Sequence, residues 1–323
     1  MGGSSIRVQI ADLNIRFESG LENDLNVLRC FFKYHLAQSA QEPECTVVLK
    51  RQVSYRIPKD AERLWQSKHQ AIEEPEDTIG RHRVHVPPAF NAFGIASCYF
   101  SRTRDTYYYG QMRDRTWVCY TPATRRIEYV LKPSVDPISA MPLLMHVLAT
   151  VHGRFLFHGA AVRVNGKAHL FVGKSGSGKS TLSTDLAKQK ATYMGDDLVL
   201  VYMRNGVPMI GALLFRAKLH MGTDTEKSEV DIPAMMQTDY CLSAPLEAVY
   251  LVRQSGGAES TIEPRPAAEL MEQLLEASNS MSMQYDQQQW LMTLFEISER
   301  IPYYIFHFGD RALLDAAILT QQA

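Results

Sequence analysis

The chain has no charge of either sign to spare and few cysteines. Among 323 residues, 34 Lys and Arg stand against 35 Asp and Glu, a formal net charge of −1. Nothing in that balance draws the protein toward nucleic acid or an anionic membrane. The five cysteines (Cys30, Cys45, Cys98, Cys119 and Cys241) are scattered and form no C-x-x-C pair. That argues against a zinc site or a disulfide frame, and for reduced thiols in a cytoplasmic protein. Long apolar runs are missing too. The longest, Ile138 to Val151, contains Pro142 and His146 and is too short to span a bilayer, so it reads as a buried helix. The first residues carry no apolar signal core, and Ile6 stands where a myristoylation motif needs Ser or Thr. What is present is 46% hydrophobic and 21% charged, the make-up of a globular protein of one large or two ordinary domains.

The first part of the chain is rich in strand patterns. Residues 6–17 alternate apolar and polar, with a break near Ala11-Asp12. Asn23 to Gln38 predicts an amphipathic helix, and Cys45 to Val53 a strand. Residues 58–80 are polar, with Glu73 to Asp77 read as a solvated loop. From Arg81 to Leu131 aromatic and β-branched residues predict antiparallel strands, including 107–109, 117–120 and 127–130. Arg102, Arg104, Arg113 and Arg115 beside Tyr107 to Tyr109 allow a nucleic-acid surface, but a half-buried sheet with a charged outer face fits the pattern better. Lys132-Pro133 and Asp136-Pro137 mark a boundary, dividing a strand-rich region, 1–133, from a second domain, 134–323.

That second domain holds the clearest motif. Gly173-Lys174-Ser175-Gly176-Ser177-Gly178-Lys179-Ser180, followed by Thr181, fits the phosphate-loop pattern G-x-x-x-x-G-K-[ST]. An apolar strand, 168–172, precedes it and a helix, 181–190, follows. Glycines let successive backbone N–H groups turn inward around an anion, and the helix adds its positive end. Lys179 is placed to reach the terminal phosphates and Ser180 to ligate Mg²⁺. The strand feeding this loop is the second arm of a hairpin: 154–164 reads as one strand, Asn165-Gly166 as a tight turn, and 167–172 as its partner. In the common nucleotide-binding folds the corresponding strand has helices as its sequence neighbours, so a less common architecture is expected.

Further along, Asp196-Asp197 opens the strand that follows the loop helix. Of two carboxylates there, one can bind Mg²⁺ beside Ser180 and the other can take a proton from an attacking hydroxyl. His158, on the strand beside the loop strand, is placed to hydrogen-bond this acid pair. The chain then turns at Asn205-Gly206 into a strand over 208–216, where Arg216, with Lys218 and His220, offers cations for phosphate oxygens. A polar loop (221–231), a strand (246–253), a helical stretch (266–300, broken near 278–284), a strand (303–308) and a last helix (310–319) complete the reading.

Together, Phe157-His158-Gly159-Ala160, the hairpin, Gly173 to Ser180 and Gly195-Asp196-Asp197-Leu198-Val199 resemble the catalytic domain of HPr kinase/phosphorylase. The likeness is nearest to HPr-kinase-related proteins, some of which phosphorylate precursor peptides in lasso-peptide gene clusters. The resemblance implies an α/β (α+β) phosphate-loop domain with a mixed sheet, related to phosphoenolpyruvate carboxykinase. It implies Asp196 as general base, Asp197 and Ser180 as metal ligands, and His158, Lys179 and Arg216 as further catalytic groups. The Glu-Ile-Arg-Gly signature of that family is absent, since Leu214-Phe215-Arg216-Ala217 keeps only its Arg.

The expected activity is ATP- and Mg²⁺-dependent phosphorylation of a hydroxyl, a serine of a peptide or small protein, including a ribosomally made precursor. A kinase of a free amino acid or sugar, and a nucleotide-gated binding module, are the alternatives. Nucleic acid and membrane are not expected partners, and a homo-oligomer is left open.

Overall fold

The computed structural model describes residues 4–37, 41–66, 95–111, 116–139, 141–220, 227–255, 259–277, 287–309 and 316–319. Its contacts divide the chain into two units, Met1–Val151 and His152–Ala323. Both are built on sheets of mixed strand direction with few helices, an α+β organisation.

The first unit is an eight-stranded sheet. Strands β1 (Ser4–Ile10) and β2 (Leu13–Ser19) form a hairpin in which Ile10 faces Leu13, and Ala11 takes the left-handed conformation (φ 56°) in the turn. Helix α1 (Glu22–Phe31) carries the chain to β3 (Cys45–Arg51), which lies parallel to β2. The sequence predicts a longer helix, through Gln38. It ends early because 35–37 joins the edge of β1, with Gln9 N donating to His35 O and Ala37 N to Arg7 O. Strands β4 (Ala61–Gln66), β5 (Ile95–Ser101), β6 (Thr106–Gln111), β7 (Thr116–Thr121) and β8 (Arg126–Leu131) complete the order β1-β2-β3-β8-β7-β6-β5-β4. The solvated loop predicted over Glu73 to Asp77, and Arg113 and Arg115, lie outside the described residues. Helix α2 (Met141–Val151) packs on β6 and β7 and so groups with this unit, although the Lys132-Pro133 boundary read from the sequence lies before it.

A buried charge cluster ties α1 to the sheet. Asp24, only 2% exposed, accepts from Ser19 Oγ at 3.0 Å and from Arg51 Nη2 at 2.5 Å. Arg51 also donates to the carbonyls of Lys132 and Val135, which fastens the segment after β8.

The second unit starts with β9 (Phe155–Phe157) and β10 (Gly159–Val164), where the sequence predicts one strand. The chain changes partners at His158. Phe155 to Phe157 pair with β13 (Val199–Arg204), whereas β10 pairs with β11 (Lys167–Val172) and β12 (Thr192–Gly195). Gly159 sits at the change, and a Cβ there would lie 2.7 Å from the Phe171 carbonyl oxygen. The Asn165-Gly166 hairpin is present, both residues at positive φ (50° and 82°), as a two-residue turn of matching twist requires.

Helix α3 (Lys179–Lys188) follows the glycine-rich loop. After β13, Asn205-Gly206 turns the chain into β14 (Val207–Ala212), and β15 (Arg216–His220) pairs with β16 (Lys227–Asp231). Two expectations are corrected here. The strand predicted over 208–216 stops at Ala212, and part of the polar loop 221–231 is strand, because Arg216 to His220 leave the main sheet to form their own hairpin. A short helix, α4 (Ile232–Met236), leads to β17 (Ser243–Gln254).

Strand β17 is the spine of this unit. It is parallel to β11 and to β19 (Tyr303–Phe308) and antiparallel to β14. Its near-continuous apolar run suits a strand buried on both faces. On one face Val249 and Leu251 join a core with Leu270 and Leu274 of α5 (Ala267–Ala277) and Leu294 and Ile297 of α6 (Gln287–Arg300). On the other, Tyr250 and Val252 pack with Phe171, Phe306 and, from α3, Leu182 and Leu186. β18 (Thr261–Arg265) pairs with β19. The predicted helix break at 278–284 lies outside the described residues, as does most of the predicted last helix; Ala316–Leu319 form a 3₁₀ turn. Among the described residues, no helix is long and apolar enough to cross a membrane.

Candidate functional site

Everything in this site belongs to the second unit. The loop Gly173 to Ser180 connects the end of β11 to α3, and its backbone follows from its glycines. Gly173, Gly176 and Gly178 all have positive φ (145°, 84° and 100°). A Cβ on Gly173 would stand 2.9 Å from the Val252 carbonyl oxygen, and one on Gly178 would stand 2.9 Å from the Phe308 ring. The loop is thus pressed onto the ends of β17 and β19, with no room for side chains at those two positions. Gln254 Nε2 donates to Gly176 O at 3.1 Å and holds the middle of the loop as well.

The groups around this loop suit an anion. Gly178 precedes α3 and no side chain caps the helix, so its first N–H groups and positive end are not answered by a side-chain acceptor. Ser177 Oγ is buried and has no hydrogen-bond partner among the described residues. Lys179 is buried; its Nζ donates to Gly173 O at 2.8 Å and Lys174 O at 3.0 Å, which sets its charge against the loop. Thr181 lies in the first turn of α3, and Thr184 Oγ1 donates back to Ser180 O.

The acid pair sits where β12 ends. Gly195 (φ 146°) permits a close pass beside Leu214, whose carbonyl oxygen would lie 2.9 Å from a Cβ at Gly195. Asp196 is 3% exposed and hydrogen-bonds Ser180. Burial pushes its carboxyl above the ordinary carboxylate range, and the neighbouring Asp197 charge adds to this. The Ser180 hydrogen bond, the Asp197 backbone and Lys179 act the other way. Asp197 is different. It takes a left-handed φ of 68°, its side chain is 54% exposed, and its Oδ1 lies 3.1 Å from His158 Nδ1. The same nitrogen lies 3.1 Å from the Asp197 carbonyl oxygen.

The sequence-predicted residues are therefore partly brought together. His158, the loop, Lys179, Ser180, Asp196 and Asp197 converge. Of the two acids, Asp196 hydrogen-bonds Ser180, and Asp197 lies beside His158. Arg216 instead pairs with Glu229 across the β15–β16 hairpin at 3.7 Å.

A cavity of about 620 Å³ opens beside the loop, a size suited to a small ligand. Its walls are the first half of the loop, His158, the end of β17 from Leu251 to Gln254, and Gln273 of α5. The β17 and α5 contributions were not legible beforehand. They come from strands and helices far along the chain, and only the parallel pairing of β11 with β17 delivers them.

Among the described residues there is no cluster of three or more His, Cys, Asp or Glu side chains able to hold a metal. The Ser180 hydroxyl and the Asp196 carboxylate still form a pair of hard oxygen donors. Such a pair fits Mg²⁺, which takes one or two protein oxygens and completes its shell with water and phosphate.

The site thus belongs to a mixed α/β unit whose loop and helix end can receive an anion beside two carboxylates and a histidine. No protein-family model matches the chain, and no curated protein matches it in sequence. Among solved structures, the HPr(Ser) kinase/phosphatase from Coxiella burnetii aligns with a TM-score of 0.34 at 11% identity. The alignment covers 52% of this chain and 95% of that one.

Proposed function

We propose that the second unit is an ATP- and Mg²⁺-dependent phosphotransferase acting on a serine hydroxyl of a peptide or small protein. The observation that carries this reading is the pairing of Ser180 with Asp196 at the mouth of the loop, with His158 and Asp197 beside it. One buried carboxylate next to the loop serine and one exposed carboxylate next to a histidine supply the two jobs that phosphoryl transfer needs.

In this mechanism the loop N–H groups, the α3 N-terminus and Lys179 hold the phosphates. Ser180 and Asp196 would hold the Mg²⁺, which would offset charge on the phosphate oxygens. Asp197, oriented by His158, receives the acceptor proton as the new O–P bond forms, and the bond to the bridging oxygen breaks to release ADP. The acceptor class rests on the resemblance noted from the sequence, a precursor peptide being one candidate.

The test is incubation of the full chain with γ-labelled ATP, Mg²⁺ and candidate peptides, with acceptor identification by mass spectrometry. Label on a peptide serine is expected, and Lys179→Ala should lose both transfer and nucleotide affinity. Label on a free metabolite alone would replace the acceptor class. Unchanged nucleotide affinity in Lys179→Ala would remove the site itself.

A further inference from the structure

The cations of the second unit can be sorted by what they already touch. Lys179 is turned onto the loop carbonyls, and Arg216 is engaged with Glu229. Arg163 donates to Cys241 Sγ at 3.5 Å and to Thr192 Oγ1 at 3.4 Å, and Lys188 pairs with Asp185. Arg253 stands apart from all of these. It is exposed, it lines the cavity beside the loop, and no carboxylate pairs with it among the described residues. The cavity lining contains Lys174 and Arg253 and no Asp or Glu, so its field favours an anion.

The position of Arg253 relative to the loop is fixed from three sides. The preceding residue's carbonyl touches Gly173, Gln254 donates to Gly176 O, and Ser255 N donates to Phe308 O at 3.0 Å. Alternation along β17 decides where the side chain goes. Leu251 belongs to the α5 core and Val252 to the α3 core, so Arg253 falls on the α5 face, with Gln273 and away from the helix that follows the loop. It therefore reaches over the first half of the loop, Gly173 to Ser175, which shares the cavity with it.

In a phosphate loop the inner phosphates nest in backbone N–H groups and the helix end, leaving the outermost phosphoryl group toward the open side. We infer that Arg253 grips the terminal phosphoryl group of the bound triphosphate through two of its non-bridging oxygens. This is the part that Arg216 was expected to play. The inference rests on the phosphotransferase reading. A planar guanidinium suits such a two-point contact, and it stabilises charge on those oxygens as the bridging P–O bond breaks toward ADP and the acceptor O–P bond forms. It neither gains nor loses a proton.

The experiment compares ADP with a non-hydrolysable ATP analogue, both with Mg²⁺, by calorimetry on the unsubstituted chain and on Arg253→Ala and Arg253→Lys. Arg253→Ala should leave ADP affinity within about twofold and weaken the analogue by about 10- to 100-fold, the range for a lost charge-assisted contact. Arg253→Lys should recover part of the loss. An unchanged preference for the analogue in Arg253→Ala overturns the inference. So does an equal loss for ADP, which would place the guanidinium on the nucleoside or inner phosphates. Failure of the unsubstituted protein to bind either nucleotide overturns the phosphotransferase reading itself, a result separable from the other two.

Discussion

Of the aspartates buried among the described residues, Asp24 in the first unit and Asp196 in the second are treated in opposite ways. Asp24 in the first unit is 2% exposed and meets Arg51 and Ser19, with the guanidinium further satisfied by two backbone carbonyls. Asp196 in the second unit is 3% exposed and meets a hydroxyl and the Asp197 backbone, while the nearby Lys179 ammonium donates to loop carbonyls. A buried charge with a full set of partners is part of the framework. One left short of a cation costs stability, and it persists where a ligand is to complete the set. The first unit uses its charge to hold α1 and the segment after β8 to the sheet. The second holds its charge ready beside a loop shaped for an anion.

The largest effect should come from breaking the satisfied cluster. Arg51→Ala leaves Asp24 buried without its cation, and removing one partner of such a pair costs about 3–5 kcal/mol. Thermal unfolding of the full chain should show an early transition assigned to the first unit, while nucleotide binding by the second unit persists below that transition. A shift of under about 1 kcal/mol, the ceiling for an exposed pair, would mean that Asp24 and Arg51 are solvated and the contrast with Asp196 fails.

His169 is an intermediate case that sharpens the comparison. It is buried on β11, and its Nδ1 lies 3.1 Å from the Tyr250 hydroxyl, a neutral partner. Burial lowers its pKa to about 4, only partly opposed by Glu247. The folded value lies below the unfolded one of about 6.5, so the stability that neutral His169 contributes is complete above that pH. It is lost as the pH falls toward the folded value, because the unfolded chain takes up the proton first. Between pH 6.5 and 5 the loss should be about 2 kcal/mol. Denaturant unfolding at several pH values, compared with His169→Gln, measures it. A parallel pH profile for the two proteins would show that His169 titrates freely.

These contrasts were only partly legible in the sequence. The loop, its feeding hairpin and the turn at Asn205-Gly206 were readable because glycine and asparagine at fixed spacing carry their own backbone requirement, and both hairpins adopt it. The strand break at His158 was not: a lone Gly159 inside an apolar run fixes no turn by itself, and the change is imposed by competing partners, β13 for one half and β11 for the other. For the same reason α1 was overestimated: 35–37 has helical character but gains more by closing the edge of β1. Arg253 and Gln254 carried no local signal at all. Their importance depends on β17 lying parallel to β11, a pairing across about eighty residues that periodicity cannot report. The acids were visible as a pair, but which one is buried depends on the backbone at Gly195 and Asp197, where positive φ turns one carboxylate inward to Ser180 and the other out to His158.

The smallest stability effect is the most discriminating. Asp196→Asn removes the charge and keeps the shape, so the cost of holding an under-partnered carboxylate disappears. Because burial raises the folded pKa of Asp196, the stability linked to its neutral form is full below the unfolded value of about 3.9 and is lost as pH rises through the folded value. The amide does not suffer that loss. The variant should therefore be more stable than the parent at pH 7, on the order of 1 kcal/mol, with the gain shrinking toward zero as the pH is lowered to about 4. Phosphoryl transfer should fall by about 10²-fold or more, since the amide cannot hold the metal side of the site as a carboxylate does. The same substitution at Asp24 should act in the reverse sense on stability, destabilising at neutral pH because Arg51 loses its counter-charge. If Asp196→Asn instead destabilises at pH 7, the charge is already compensated within the fold, and Asp196 belongs with Asp24 as framework.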